Sequence, residues 1–316
     1  MPAAGIPNLD GLRSGGKRVL SQALAAAESL PDDPGVVALL DAAHGAARAR
    51  VIGLTGPPGV GKSTLVDGLV ARWRAAGRTV GVIAVDPSSR VSGGALLGDR
   101  TRIVTDPHDQ GVFVRSMAAR DRLGGLAALS VAAVVLMRAV YDIVLVETVG
   151  VGQSEADIAM VADTVVFCVQ PASGDSLQFM KAGIVEIPHV AVVTKADLGA
   201  PARRAAADLA GAIDLAAAAD DAWPVAVLMV SAVSGQGMDA LVDAIEDHGR
   251  WLDESGRLAA ARRAQARHWL KDAVRSRFGS DGLERAGAAL DLSPGEGPFS
   301  GLARIGARIT ESRARK

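Results

Sequence analysis

The sequence predicts an α/β fold built on a mainly parallel, doubly wound sheet, and three observations lead there. Residues 56–64, Gly56-Pro57-Pro58-Gly59-Val60-Gly61-Lys62-Ser63-Thr64, fit G-x-x-x-x-G-K-[ST] between the apolar run Val51-Ile52-Gly53-Leu54 and a helix-forming stretch over 65–73. Seven short Val/Ile-rich runs, at 51–54, 79–85, 112–114, 142–147, 164–169, 189–194 and 225–230, mostly lack polar alternation. Strands read this way when helices cover both faces of their sheet. Helix-like segments separate most of those runs, and such alternation argues for a doubly wound α/β domain. Together these are the marks of a P-loop NTPase.

Taken in order, residues 1–46 start polar and become Ala/Leu-rich from about Arg18, which predicts an N-terminal helical segment. Residues 47–248 hold the strands and crossovers. From 249 onward the character changes. Trp269, Leu270, Val274 and Phe278 recur at roughly helical spacing, a second segment covers 281–290, and Ser293-Pro294-Gly295-Glu296-Gly297-Pro298 breaks the pattern before a last basic helix. Residues 249–316 therefore read as a C-terminal helical region. Its apolar positions need a partner, either the core domain or a second subunit.

Composition narrows the class. The 316 residues are 49% hydrophobic but only 3% aromatic, so Ala, Val, Leu and Ile must build the core. A net charge of −1 gives no pull toward nucleic acid or acidic membranes. Residues 257–316 carry 13 Lys/Arg against 6 Asp/Glu, yet no aromatic set interleaves them, so a solvated helical face fits better than a nucleic-acid patch. The one cysteine, Cys168, leaves no intrachain disulfide and fits a reducing compartment. Met1-Pro2-Ala3-Ala4-Gly5 lacks the basic and apolar regions of a secretory signal, and the apolar stretch 123–137 is too short to span a bilayer. The expectation is a cytoplasmic protein with no membrane or nucleic-acid partner.

The chemistry sits at the ends of the strands. In the phosphate loop, glycines let backbone N–H groups converge on an anion. Lys62 reaches the β- and γ-phosphates, and Ser63 puts its hydroxyl on Mg²⁺. Thr194-Lys195-Ala196-Asp197 directly follows the strand Val190-Ala191-Val192-Val193, where a G protein carries Asn-Lys-x-Asp. A carboxylate at Asp197 accepts from guanine N1–H and the exocyclic amine, a donor pair adenine does not present. The stem of Lys195 can lie over the base. Thr194 in place of Asn removes an amide that helps hold the loop, so guanine preference is expected to be less strict. Ser231-Ala232-Val233 after the last strand is the turn whose N–H, at Ala232 or Val233, meets guanine O6.

Three further sites supply carboxylates and polar groups. Glu147 closes the strand 142–147 and faces Mg²⁺, and Gly150 and Gly152 let the following loop approach the γ-phosphate. Gln153 and Glu155 are candidates near the attacking water. Asp86 at the end of the second strand, and Asp99 beyond it, can help organise Mg²⁺ and water; Arg100 either neutralises phosphate or forms a surface ion pair.

At these residues the chain resembles the MeaB/ArgK family, the methylmalonyl-CoA-mutase-associated GTPases, themselves similar to metal-insertion GTPases. The resemblance rests on residues 56–64, Asp86-Pro87-Ser88-Ser89, Gly93-Gly94 with Leu97-Gly98-Asp99-Arg100, Glu147-Thr148-Val149-Gly150-Val151-Gly152-Gln153-Ser154-Glu155, Ser173-Gly174-Asp175-Ser176-Leu177-Gln178 with Lys181, and Lys195-Ala196-Asp197. Thr194 and the pair Phe179-Met180 depart from the family pattern. The resemblance implies a homodimer joined through C-terminal helices and a partner, adenosylcobalamin-dependent methylmalonyl-CoA mutase or a related acyl-CoA mutase. GTP binding and hydrolysis to GDP would gate cofactor delivery and protect that enzyme. It also implies switch loops at about 86–100, 147–160 and 170–184, with Lys181 brought toward the phosphates when the partner binds. Two other readings stay open: a kinase of the lysine/arginine/ornithine transport type, and a metal-insertion GTPase. The second wants clustered Cys and His, and His44, His108, His189, His248 and His268 are scattered.

Overall fold

The computed structural model describes residues 5–87, 106, 108–119, 128–148, 157–171, 188–216, 223–293 and 295–314. Helices α1 (Leu9–Ser14), α2 (Gly16–Ser29) and α3 (Pro34–Gly45) precede β1 (Arg50–Thr55), α4 (Lys62–Ala75), β2 (Val80–Pro87) and β3 (Val112–Ala119). Next come α5 (Ala128–Val140), β4 (Ile143–Glu147), β5 (Thr164–Val169) and β6 (Val190–Val193). Then follow α6 (Ala200–Ala216), β7 (Ala226–Met229), α7 (Met238–Glu254), α8 (Arg257–Ala286) and α9 (Pro298–Ala314).

The seven strands form one sheet in the order β3-β2-β4-β1-β5-β6-β7, and every pairing is parallel. Each expected apolar run is a strand. β3 extends past its apolar run through Arg115 and Ser116, which an edge strand tolerates because it has a neighbour on one side only. Successive residues of the central strands serve opposite faces. Val166 and Cys168 of β5 pack with Leu65, Leu69 and Trp73 of α4 and with Leu241 and Ile245 of α7. Phe167 and Val169 pack instead with Ala202, Leu209 and Ile213 of α6. Both faces are covered, so the strands carry no polar face, and the sheet is doubly wound.

Contacts divide the chain into two compact units. One comprises Arg50–Ala127 and Asp142–Leu258, and holds the whole sheet; the other comprises Met1–Ala49, Ala128–Tyr141 and Ala259–Lys316. In the helical unit, α5 is buried continuously from residue 132 to 139 and packs on α2 and α3. A helix apolar on every side must be covered on every side. The C-terminal apolar positions find their partner within the same unit: Leu270 and Val274 of α8 form a buried cluster with Ile305 and Ile309 of α9, and Phe278 packs against it. The sequence left that partner open between the core domain and a second subunit, because periodicity gives the face of a helix and not what covers it. α8 breaks at Gly279, φ 74°, ψ −172°, between the two segments that the sequence separates. No helix among the described residues is long and apolar enough to cross a membrane.

Candidate nucleotide-binding site

Parallel strands put all their carboxyl ends on one edge, and the connections from that edge carry the candidate residues. β1 lies between β4 and β5, so its following loop opens where the strand order switches direction, the place where open α/β sheets bind ligands. This edge gathers residues 56–64 after β1, Asp86 at the end of β2, Glu147 ending β4, Thr194 through Asp197 after β6, and the turn at Ser231 after β7.

The phosphate loop is shaped by its glycines. Gly56, Gly59 and Gly61 have φ of 137°, 74° and 100°, backbone that side chains disfavour. At Gly56 space forbids a side chain as well, since a Cβ would lie 2.1 Å from Cys168 O. The carbonyls are taken up one by one. Lys62, buried at the start of α4, donates from Nζ to Gly56 O at 2.8 Å and Pro57 O at 3.0 Å. Lys195 Nζ donates to Gly59 O at 3.3 Å, Thr194 Oγ1 to Val60 O at 2.7 Å, and Leu65 N to Gly61 O at 3.0 Å. Gly56 O and Pro57 O precede prolines, which have no N–H, and Val60 N donates back to Pro57 O at 3.4 Å. In a trans peptide the N–H points opposite to its C=O, so holding Val60 O and Gly61 O turns the amides that follow them, those of Gly61 and Lys62 at the start of α4, away from those partners. That is the arrangement of an anion-binding nest at a helix N-terminus. Cys168, packed in the core behind the loop, has its thiol pushed up to about 12 by burial, with Glu147 raising it further against an opposing effect of Lys62. It stays protonated and acts as core.

Ser63 and Glu147 meet. Ser63 Oγ donates to Glu147 Oε1 at 2.7 Å, and the Glu147 side chain is buried. Its neighbour Thr148 donates from Oγ1 to Thr55 Oγ1 at 3.1 Å, tying β4 to β1. A hydroxyl and a carboxylate sharing one point beside the phosphate loop form a hard, all-oxygen donor pair, which fits Mg²⁺. Ser63 and Glu147 would hold the ion, which would supply positive charge against bound phosphate. Asp86 lies in register with Ala118 near the end of β2, two residues beyond Ala84, which pairs with Glu147 across the sheet. Asp99, Gln153, Glu155 and Lys181 lie outside the described residues.

The base side is built from β6 and β7. Lys195 adopts φ 54°, and Asp197 stands exposed in the short 3₁₀ turn Ala196–Leu198. Ala196 N donates to Val230 O at 3.2 Å, fastening this turn to the end of β7. Ser231 is buried; its Oγ accepts from Ser234 N at 3.3 Å and its N–H donates to Gln236 O at 2.9 Å, which closes the turn carrying Ala232 and the exposed Val233. A Cβ at Gly237 would lie 2.2 Å from Met229 O, so this residue too admits no side chain. The sequence missed two things. Thr194, read there as the loss of an amide, is buried and holds the phosphate loop through its hydroxyl. Gln170, which no motif marks, accepts from Lys195 Nζ at 2.5 Å. Thr194 opens the Thr-Lys-x-Asp motif and residue 170 starts the implied loop 170–184, but for the bonds they make the sequence offers only their position directly after a strand on the carboxyl edge.

A family model described as methylmalonyl Co-A mutase-associated GTPase MeaB matches residues 20–285. This chain belongs to the MeaB family. It is therefore a P-loop enzyme of a GTP-hydrolysing family, for which guanine nucleotide is the ligand and Mg²⁺ the usual ion. The MeaB-family chain is 44% identical over 234 residues to a Pyrococcus horikoshii relative, covering 72% of each. It is 40% identical over 222 residues to the mitochondrial methylmalonic aciduria type A homolog of Mus musculus, covering 69% of this chain and 54% of the mouse protein. Among solved structures, one described as LAO/AO transport system kinase superposes with a TM-score of 0.66 at 26% identity, covering 96% of both chains.

Proposed function

We propose that this MeaB-family GTPase spends GTP as a timer: it binds methylmalonyl-CoA mutase or a related acyl-CoA mutase, gates the loading of adenosylcobalamin, and protects the loaded enzyme. The observation that carries this is the family match over residues 20–285, whose description names the mutase. The name of the mouse relative points to the same metabolism. In this reading residues 56–64 hold the phosphates, Asp197 and the 231–233 turn read guanine, and Ser63 and Glu147, with Asp86 and Asp99, hold Mg²⁺. Gln153, Glu155 and Asp86 order the attacking water. Lys181 is the charge completed by the partner, neutralising the transition state in the manner of a supplied cation. The C-terminal helices join two copies in the cytoplasm.

The kinase reading has one observation in its favour, the likeness to a structure described as a transport system kinase. Against it stands Asp197, a carboxylate for which adenine offers no N–H pair. The deciding measurement is phosphate release from GTP and from ATP, each with and without purified mutase, with a Lys62→Ala variant as the binding-dead control. The expected result is slow GTP hydrolysis that the mutase accelerates. Faster ATP turnover, or phosphate transferred to a protein acceptor, overturns it.

A further inference from the structure

Thr194 and Lys195 are consecutive, and each bonds in two directions. Thr194 Oγ1 lies 2.7 Å from Val60 O and 3.0 Å from Val169 O. Lys195 Nζ lies 3.3 Å from Gly59 O and 2.5 Å from Gln170 Oε1. Neighbouring residues of the base loop therefore take neighbouring residues of the phosphate loop, 59 and 60, and neighbouring residues at the carboxyl end of β5, 169 and 170. The main chain braces the same point, with Thr194 N donating to Val169 O at 2.8 Å. Among the described residues Lys195 is the one non-glycine with positive φ, at 54°. That conformation is disfavoured for a lysine and persists where its surroundings over-determine it.

Proton counting separates holding from reading. A threonine hydroxyl has one proton to donate. Here it lies between two main-chain carbonyls, nearer Val60 O, and the residue is buried. An asparagine amide would have two N–H donors and could serve a loop and a base together. On the reading that this edge binds a nucleoside triphosphate, the geometry points to Thr194 and Lys195 as positioning residues. They form a clip that fixes the phosphate loop for any triphosphate, and leave the choice of base to Asp197 and the 231–233 turn. The clip's bonds to Gly59 O and Val60 O fix the loop backbone, and with it the Gly61 N–H that follows Val60 O, before a ligand arrives, which saves ordering cost on binding.

The clip makes a prediction that a base contact does not. Isothermal titration with Mg-GTP and with magnesium tripolyphosphate, which has no base, compares the wild-type chain with Thr194→Val, Thr194→Ser and Asp197→Asn. Thr194→Val should weaken both ligands by the same factor, about tenfold, the worth of one buried hydrogen bond. Thr194→Ser should restore both. Asp197→Asn should weaken GTP and leave tripolyphosphate unchanged. A loss in Thr194→Val confined to GTP would put the hydroxyl at the base and overturn the clip, as would unchanged affinity for both. Should Thr194→Val fail to fold, Lys195→Met keeps the stem, removes the ammonium from Gly59 and Gln170, and should again weaken both ligands alike; a GTP-only loss there rejects the clip. A wild-type chain that binds neither ligand sinks the nucleotide reading itself and the clip with it.

Discussion

Gly56 admits no substitute at the site. Its φ of 137° is one that L side chains rarely adopt, and the Cβ of an alanine would sit 2.1 Å from Cys168 O, a backbone atom inside β5. Neither chain can yield cheaply, because Cys168 is held in register with Val192 of β6. Gly56→Ala is therefore expected to lower stability by about 3 kcal/mol or more, the range of strained-backbone and overpacking substitutions. Guanidinium unfolding measures it, and a loss below about 1 kcal/mol would show that the loop relaxes away from β5. The motif made Gly56 legible in the sequence, but for a different reason, access of amides to phosphate; the contact with residue 168 is invisible until the strands pair. Thr194 is the opposite case. Its residue type suggested a weakened loop, and the hydroxyl's actual partners lie 134 and 25 residues away, where no local pattern reaches.

At the scale of elements, helix ends carry the information that patterns leave out. The first turn of α9 has amides with no partner inside the helix, as every helix start does. Pro298 at its first position could be read as a start signal. What satisfies the turn could not: Asp41, on α3, accepts from Phe299 N at 3.0 Å and Ser300 N at 2.9 Å. A carboxylate at a helix N-terminus gains from the helix dipole as well as from the bonds. Asp41→Ala should cost about 1–2 kcal/mol, as the loss of an N-cap does, and Asp41→Asn about half that because it keeps an acceptor. Denaturant titration of both variants checks this, and an Asp41→Ala midpoint equal to wild type would rule the cap out. Strands were more legible than helix partners for a physical reason. A strand buried on both faces is a continuous apolar run whatever its neighbours are, as in β4, β5 and β6. A helix face such as Leu270–Val274 is equally apolar whether α9 or another surface covers it.

On the scale of the whole molecule, the sheet divides its labour between its two edges. The carboxyl edge carries the candidate nucleotide site, and the amino edge carries a pair of histidines that sequence spacing leaves unrelated. His189, just before β6, accepts from Val165 N at its Nδ1, 2.9 Å away. His248 of α7 stacks on it with ring centroids 4.1 Å apart, and shares a hydrogen bond with Thr164 Oγ1 at 2.8 Å. Trp223 and Trp251 close the box around His248. Burial pushes His189 down to about 4, against an opposing pull from Asp163; burial, then His189 and Arg50, push His248 down to about 3. A proton on Nδ1 of His189 would also remove the acceptor that Val165 N needs. Both rings are thus neutral in the folded chain and titrate near 6.5 when unfolded. The sign follows: their stabilising effect is whole above about pH 6.5 and is lost as pH falls toward 4, where the unfolded chain binds protons that the folded one refuses. Each histidine contributes a slope of up to about 1.4 kcal/mol per pH unit in that window. His44, in the helical unit, is pushed down to about 4 by burial and by Arg138 and adds to the same slope. Urea unfolding at pH 7, 6 and 5 should therefore show falling stability, and a His248→Phe variant should fall less steeply by about one proton. Equal slopes in the two proteins would mean that the stacked pair does not govern the acid limit of this sheet.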